Sequence, residues 1–335
     1  MTHSPADSRR AKNLWMRAVS FVALRELAAL ITEHAGGLRA GEMEALVETR
    51  PQLRTRQGRL PSKTTVYQYR NILMHLEVIS RRQGYYQINY GNPTVEALLA
   101  SMSPGSPTLL TEERRFFAQL VVANQDCRQH FFDLFLHQRN AYDLDDFIAS
   151  GQRVSWTGGN DSQTQNRQVR LYSLEDQETE RWLCTEDEIQ AILYGVRYWA
   201  RNELGFLDEL YLEDLGGVMF PVEIEGPTPD PSIIRAFLKE IDESQAWTML
   251  SIRDLAYRWG PRHHVPLQRI YGTLEYINRA NPEFVIFIPT AEAFATITAS
   301  SPGSEVYQLR SYLQDRNGRY ISHLRVHRKI KEILR

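Results

Sequence analysis

Cysteine is almost missing from this chain of 335 residues: Cys127 and Cys184 are its two, and neither sits in a CxxC-type spacing. That excludes a disulfide framework and the paired-cysteine zinc sites. No uninterrupted apolar run approaches the roughly 18 residues a spanning helix needs. The opening MTHSPADSRRAKN lacks the apolar centre of a signal peptide. Neither GxxxxGK[ST] nor GxGxxG occurs, so the phosphate-cradling loops of nucleoside triphosphatases and dinucleotide enzymes are missing. Histidines gather only as His263-His264 and as His323 with His327, without a companion cysteine or carboxylate set. The expectation is a cytoplasmic, non-membrane protein with no metal, no cofactor and no catalytic residues.

What is present is charge of both signs, laid out in blocks. Residues 1–100 carry 14 Lys/Arg against 8 Asp/Glu, a balance of +6; residues 101–250 carry 12 against 26, or -14. Residues 251–335 carry 13 against 7, again +6. Basic ends around an acidic centre suit a protein whose ends face nucleic acid. The acidic centre, rich in Trp and Tyr, suits contact with protein, as a homodimer or with a partner subunit. The length allows two or three domains, each burying its own core.

Apolar periodicity and breakers divide the chain further. A flexible start, residues 1–13, precedes a helix over NLWMRAVSFVALRELAALITEHAGG (13–37), stopped by Gly36-Gly37. AGEMEALVET (40–49) is a short second helix, RPQLRTRQGRLP (50–61) a basic loop, and the stretch from Ser62 to Leu76 a third helix. VISRRQGYYQINYG (78–91) alternates about an Arg-Arg-Gln-Gly corner, as a hairpin does. PTVEALLASM (93–102) is helical, and SPGSP (103–107) is the strongest breaker, closing a domain over 14–102.

A middle domain, 108–226, is expected to be acidic and mainly helical, with a β-hairpin over 152–174 and a helix over 185–204. A third domain, 230–335, opens with helices over 230–244, 251–260 and 265–281, then a strand over 283–289. Two basic terminal helices, 304–316 and 319–334, complete it. The fold class expected is α+β, mainly helical.

At 100° per residue, Val66, Tyr69, Leu73 and Leu76 share the inward side of the third helix. Thr64, Gln68, Asn71 and His75 lie opposite with Tyr67 beside them, while Lys63 and Arg70 lie on a flank. No carboxylate interrupts that outer face, and hydroxyl, amide and guanidinium groups are the ones that bond base edges and phosphates. Three helices followed by a basic hairpin resemble the winged helix-turn-helix superfamily over about residues 14–92, with a weaker second copy over about 230–290. The resemblance implies a third helix in the major groove of double-stranded DNA and a wing on the backbone. Thr64, Tyr67, Gln68 and Asn71 would then face bases. Lys63, Arg70, Arg81 and Arg82 would meet phosphates, helped by Arg54, Arg56 and Arg59 in the preceding loop.

In the second copy Ile270, Leu274 and Ile277 face inward, and Gln268, Gly272, Glu275 and Arg279 outward. Glu275 there opposes phosphate. Secondary contacts to DNA would come from Arg262, His263, Gln268 and Arg269, and from Arg328, Lys331 and Arg335 on a basic amphipathic tail helix. The functional expectation is a transcriptional regulator, or the DNA-recognition subunit of a DNA-processing or antiviral defence complex. Two alternatives stand beside it: winged helices that dock protein partners, and a metal-dependent nuclease built on Asp214, Glu223 and Glu225 in the middle domain.

Overall fold

The computed structural model describes residues 19–53, 59–127, 142–150, 153–157, 168–172, 177–183, 191–212, 216–289, 313–314 and 319–334. The architecture is mixed, helices beside small antiparallel sheets. It falls into two compact units, residues 1–147 with 185–206 and residues 148–184 with 207–335. Residues 108–226 contribute to both.

The first unit opens with α1 (Phe21–Thr32), whose N-cap Ser20 accepts from the Val22 amide. Gly37 and Leu38 follow, and Leu38 forms a one-residue strand. Then come α2 (Ala40–Leu46), two 3-10 turns (Val47–Thr49 and Pro51–Leu53) and α3 (Lys63–His75). The hairpin is β1 (Ile79–Arg82) and β2 (Tyr85–Ile88), antiparallel with Arg82 opposite Tyr85 and Arg81 opposite Tyr86. Gln83 and Gly84 both have positive φ, 51° and 85°, the type I′ geometry whose twist matches that of paired strands. Leu38 lies against Tyr86, exchanging N–H···O bonds of 3.0 and 2.8 Å. Gly37 makes this approach possible: a Cβ there would stand 2.6 Å from the Tyr86 carbonyl oxygen. The small sheet thus runs Leu38, β2, β1.

Behind this body pack α4 (Pro93–Ser101), α5 (Thr111–Ala123) and a helix considered below. Phe21 meets Phe117 and Trp199 edge to face, each at 5.2 Å, with all three rings fully buried. Such pairs add about 0.5–1.5 kcal/mol each beyond their burial.

The chain continues through α6 (Leu144–Ala149) into β3 (Arg153–Thr157), β4 (Gln168–Tyr172) and β5 (Glu178–Leu183). A π-type helix, α7 (Ala191–Leu204), supplies Trp199 to the first unit, and Glu203 accepts from the Phe21 amide at 2.8 Å. β6 (Leu207–Leu212) and β7 (Gly216–Pro221) then complete an antiparallel sheet of order β5-β4-β3-β7-β6. The expected hairpin over 152–174 is its β3–β4 pair; the start of the helix expected over 185–204, residues 185–190, lies outside the described residues.

The rest of the second unit is α8 (Pro231–Lys239), β8 (Trp247–Ser251), α9 (Ile252–His263), α10 (Leu267–Ala280), β9 (Val285–Pro289), β10 (Ile321–His327) and a single turn, α11 (Ile330–Ile333). The sheet order is β8-β10-β9. Helix, strand, helix, helix, strand, strand, with the first strand against the last, is therefore the plan of both units' helix–sheet bodies. Gly260 lets α9 press on β7, since a Cβ there would come within 2.7 Å of the Phe220 ring.

The tail departs from expectation. Residues 321–327 are a strand between β8 and β9, and the only helix after it among the described residues is one turn. A register shift between Ile321 and His323 breaks the two-residue alternation. Buried apolar residues consequently fall at 321, 324 and 326 of the strand, and Ile330 follows in the terminal turn, together a spacing that imitates a helix. The expected helix over 304–316 lies almost wholly outside the described residues.

Candidate nucleic-acid interface

α3 contains no acidic residue along its length. Its N-cap Ser62 accepts from the Thr65 amide at 3.2 Å, which fixes where the helix begins and so which side chains share a face. Thr64 and Tyr67 are exposed, the latter to 53%, while Gln68 and Asn71 are half-buried. Arg81 and Arg82 are exposed at the hairpin turn, and Arg59 is exposed before α3. The structure therefore brings the predicted base-facing and wing residues together on one body. Lys63 is exposed but leans on α2, 3.4 Å from the Glu44 carboxylate. Arg54 and Arg56 lie outside the described residues.

Arg70 corrects the helical-wheel reading. It belongs to the buried stripe with Val66 and Leu73 and is 6% exposed; Tyr69, expected there, is half-buried. Its guanidinium lies 4.6 Å from the Tyr86 ring centre and 5.2 Å from that of Tyr67. Arg81 reaches the same Tyr86 ring at 5.6 Å. The Nε and Nη1 of Arg70 are buried without a hydrogen-bond partner. Cation–π contacts return about 2 kcal/mol each when desolvated, against several kcal/mol for burying an unpaired ion. Arg39, which the sequence reading passed over, stacks on Tyr85 at 4.7 Å and extends the basic edge of the hairpin. It follows a one-residue strand, too short to leave any periodic signal.

The corresponding face of the second body is different. Gln268 is exposed, but Glu275 pairs with Arg279 across one helical turn. Arg269, expected on phosphate, is instead buried and 6% exposed. Its Nη2 donates to the carbonyls of Glu223 at 3.2 Å and Glu225 at 2.6 Å. Its Nη1 lies 3.7 Å from Asp230 and 3.5 Å from Glu223. These two acceptor groups and two carboxylates, close to the start of α8, take the guanidinium that the outer face would have needed. Burial pushes the Asp230 carboxyl up, but hydrogen bonds from Ser232 and Ile233 and the Arg269 charge outweigh it and hold it below the usual carboxylate range.

The basic tail is likewise committed to neighbours. Lys331 reaches the Glu243 carboxylate at 2.8 Å, and Arg328 donates to the Glu243 carbonyl at 3.4 Å. Arg328 precedes the single turn α11 and Lys331 lies within it, rather than on the long amphipathic helix expected over 319–334; Arg335 lies outside the described residues. Arg262 and His263 are exposed at the end of α9.

Glu223 and Glu225 follow β7 rather than lying on it, and Asp214 lies outside the described residues. Among the described residues no three His, Cys, Asp or Glu side chains gather where a metal would sit, and no helix is long and apolar enough to cross a membrane. No family model, curated protein or solved structure matches the chain.

Proposed function

We propose that the chain is a non-enzymatic protein that binds double-stranded DNA through its first helix–hairpin body. In this reading α3 enters the major groove and the β1–β2 turn rests on the backbone. The observation that carries it is the carboxylate-free outer side of α3, with Thr64, Tyr67, Gln68 and Asn71 on the same body as the exposed Arg81-Arg82 corner. Amide and hydroxyl groups bond base edges, and guanidinium forks bond phosphates. The strand order of both bodies, first strand against last, supports a winged-helix reading of each. The protein then acts in the cytoplasm as a transcriptional regulator, or as the DNA-recognition subunit of a processing or defence complex. Its acidic central region serves assembly, as a homodimer or with a partner.

Fluorescence anisotropy of a labelled duplex across salt tests this. Binding through several phosphates makes affinity fall steeply as salt rises. A chain that retains no duplex at low salt would remove the reading.

A second reading, in which the second body docks a protein, is favoured by one surface. Met249, Arg325 and Ile286 lie side by side across β8, β10 and β9. Met249 is 55% and Ile286 39% exposed, which is unusual for large apolar side chains beside one another.

A further inference from the structure

The two bodies repeat one plan, so their third helices can be compared position by position from the N-caps, Ser62 for α3 and Pro266 for α10. Val66 and Ile270 stand four residues past the cap, and Leu73 and Ile277 eleven past it; all four are buried. Between them, eight residues past each cap, α10 has Leu274, fully buried, and α3 has Arg70. The first body thus carries a guanidinium where the second fills its core with a leucine. Desolvating an unpaired cation opposes folding, and neither Arg70 nor Arg81 makes a hydrogen bond or ion pair among the described residues. Both instead adjoin the Tyr86 ring, with Tyr67 as the exposed neighbour of Arg70.

We infer that Arg70 and Arg81, joined through Tyr86, form a notch between α3 and the wing that takes one backbone phosphate of the nucleic acid. This rests on the duplex-binding reading above and deepens it. The Nε and Nη1 of Arg70 are buried without a partner, and its side-on fork, Nε–H with Nη2–H, is the pair of donors that matches two phosphate oxygens. The phosphate supplies the acceptors that the protein withholds. Because the notch joins recognition helix to wing, it sets how the body seats on the duplex without reading sequence. Tyr67, on the exposed side of Arg70, is the side chain that a phosphate must pass or displace.

The test uses the full chain carrying Arg70→Leu, the residue that the second body has at this place. Arg70→Lys and Arg82→Ala serve as comparators, with duplex affinity measured across salt by anisotropy. The notch predicts that Arg70→Leu melts no lower than the wild type, yet loses at least tenfold in affinity for every duplex, with a salt slope reduced by about one phosphate. Arg70→Lys keeps the charge without the fork and recovers part of the loss. In the wild type, the Arg70 Nε–H resonance, assigned by its disappearance from Arg70→Lys, shifts when duplex is added. If Arg70→Leu and Arg70→Lys bind as the wild type does while Arg82→Ala is weakened, the notch is refuted and the duplex reading survives. If Arg70→Leu fails to fold, an unmoved Nε–H resonance in duplex-bound wild type refutes the notch by itself. If the wild type binds no duplex, both fall.

Discussion

Replacing Arg25 by alanine probes a highly connected buried charge in the first unit. Arg25, Glu26 and Glu113 are all fully buried. Arg25 donates from Nε and Nη2 to Glu26 at 3.0 and 2.8 Å, and from Nη1 to Glu113 at 3.2 Å and to the Thr108 carbonyl at 2.9 Å. It also donates to the Ser106 carbonyl. The two carboxylates accept in turn from the amides of Ser103 at 2.7 Å, Gly105 at 2.9 Å and Leu110 at 2.7 Å. The SPGSP stretch, which reads as a free breaker, is thereby tied to α1. Arg25→Ala leaves two buried carboxylates without their main cation, a change worth about 3–5 kcal/mol. Arg50, 3.8 Å from Glu26, offsets only part of it. Hydrogen exchange followed by mass spectrometry on peptides spanning 103–110 should therefore quicken by about 10² to 4 × 10³, at about 1.4 kcal/mol for each tenfold. Arg25→Lys should give an intermediate effect. Acceleration below tenfold in Arg25→Ala would show that this cluster does not hold the segment.

Three further outcomes are expected. Gln83→Asn puts the residue that type I′ turns favour at the positive φ of 51°. It should slow exchange of the Tyr86 amide by about two- to fivefold, and faster exchange would contradict the turn geometry. The Asp230 carboxyl is held below its ordinary value of 3.8, so its contribution to stability is complete above about pH 4 and is lost as pH falls through the depressed value. Asp230→Asn, which keeps an N-cap side chain, should flatten the acid limb of the second unit's stability, and an unchanged limb would refute this. On DNA, Arg82→Ala should weaken all duplexes alike and lower the salt slope by about one, whereas Asn71→Ala should narrow discrimination between sequences by about 1–3 kcal/mol. The reverse pattern would exchange the roles assigned to helix and wing.

Long periodic segments and strong turn chemistry were legible before any coordinates. α3, its serine cap and the hairpin about Gln83-Gly84 stand where their residues place them, and so do α8, α9, α10 and β9. Short strands were not legible. Leu38 pairs through a single residue, and β8 has only five, with no alternation strong enough to separate it from α9 that follows directly. β10 was misread because its bulge resets the apolar spacing. Burial of single charges was the other failure: a helical wheel gives a direction, while Arg70 and Arg269 are defined by what lies over them. Tyr67 and Tyr86 cover the first. Glu223, Glu225 and Asp230 come from a distant stretch of chain to hold the second, and no local pattern in α10 announces them.

The central claim is that the first body, through α3 and its wing, is the surface that meets DNA. Ultraviolet cross-linking of the full chain to a duplex, with the linked peptides identified by mass spectrometry, tests it directly. Tyr67, exposed on the outer face of α3, and the stretch from Arg81 to Tyr86 should carry the cross-links. Cross-links confined to α10, to the β8-β10-β9 sheet or to the five-stranded sheet would contradict it.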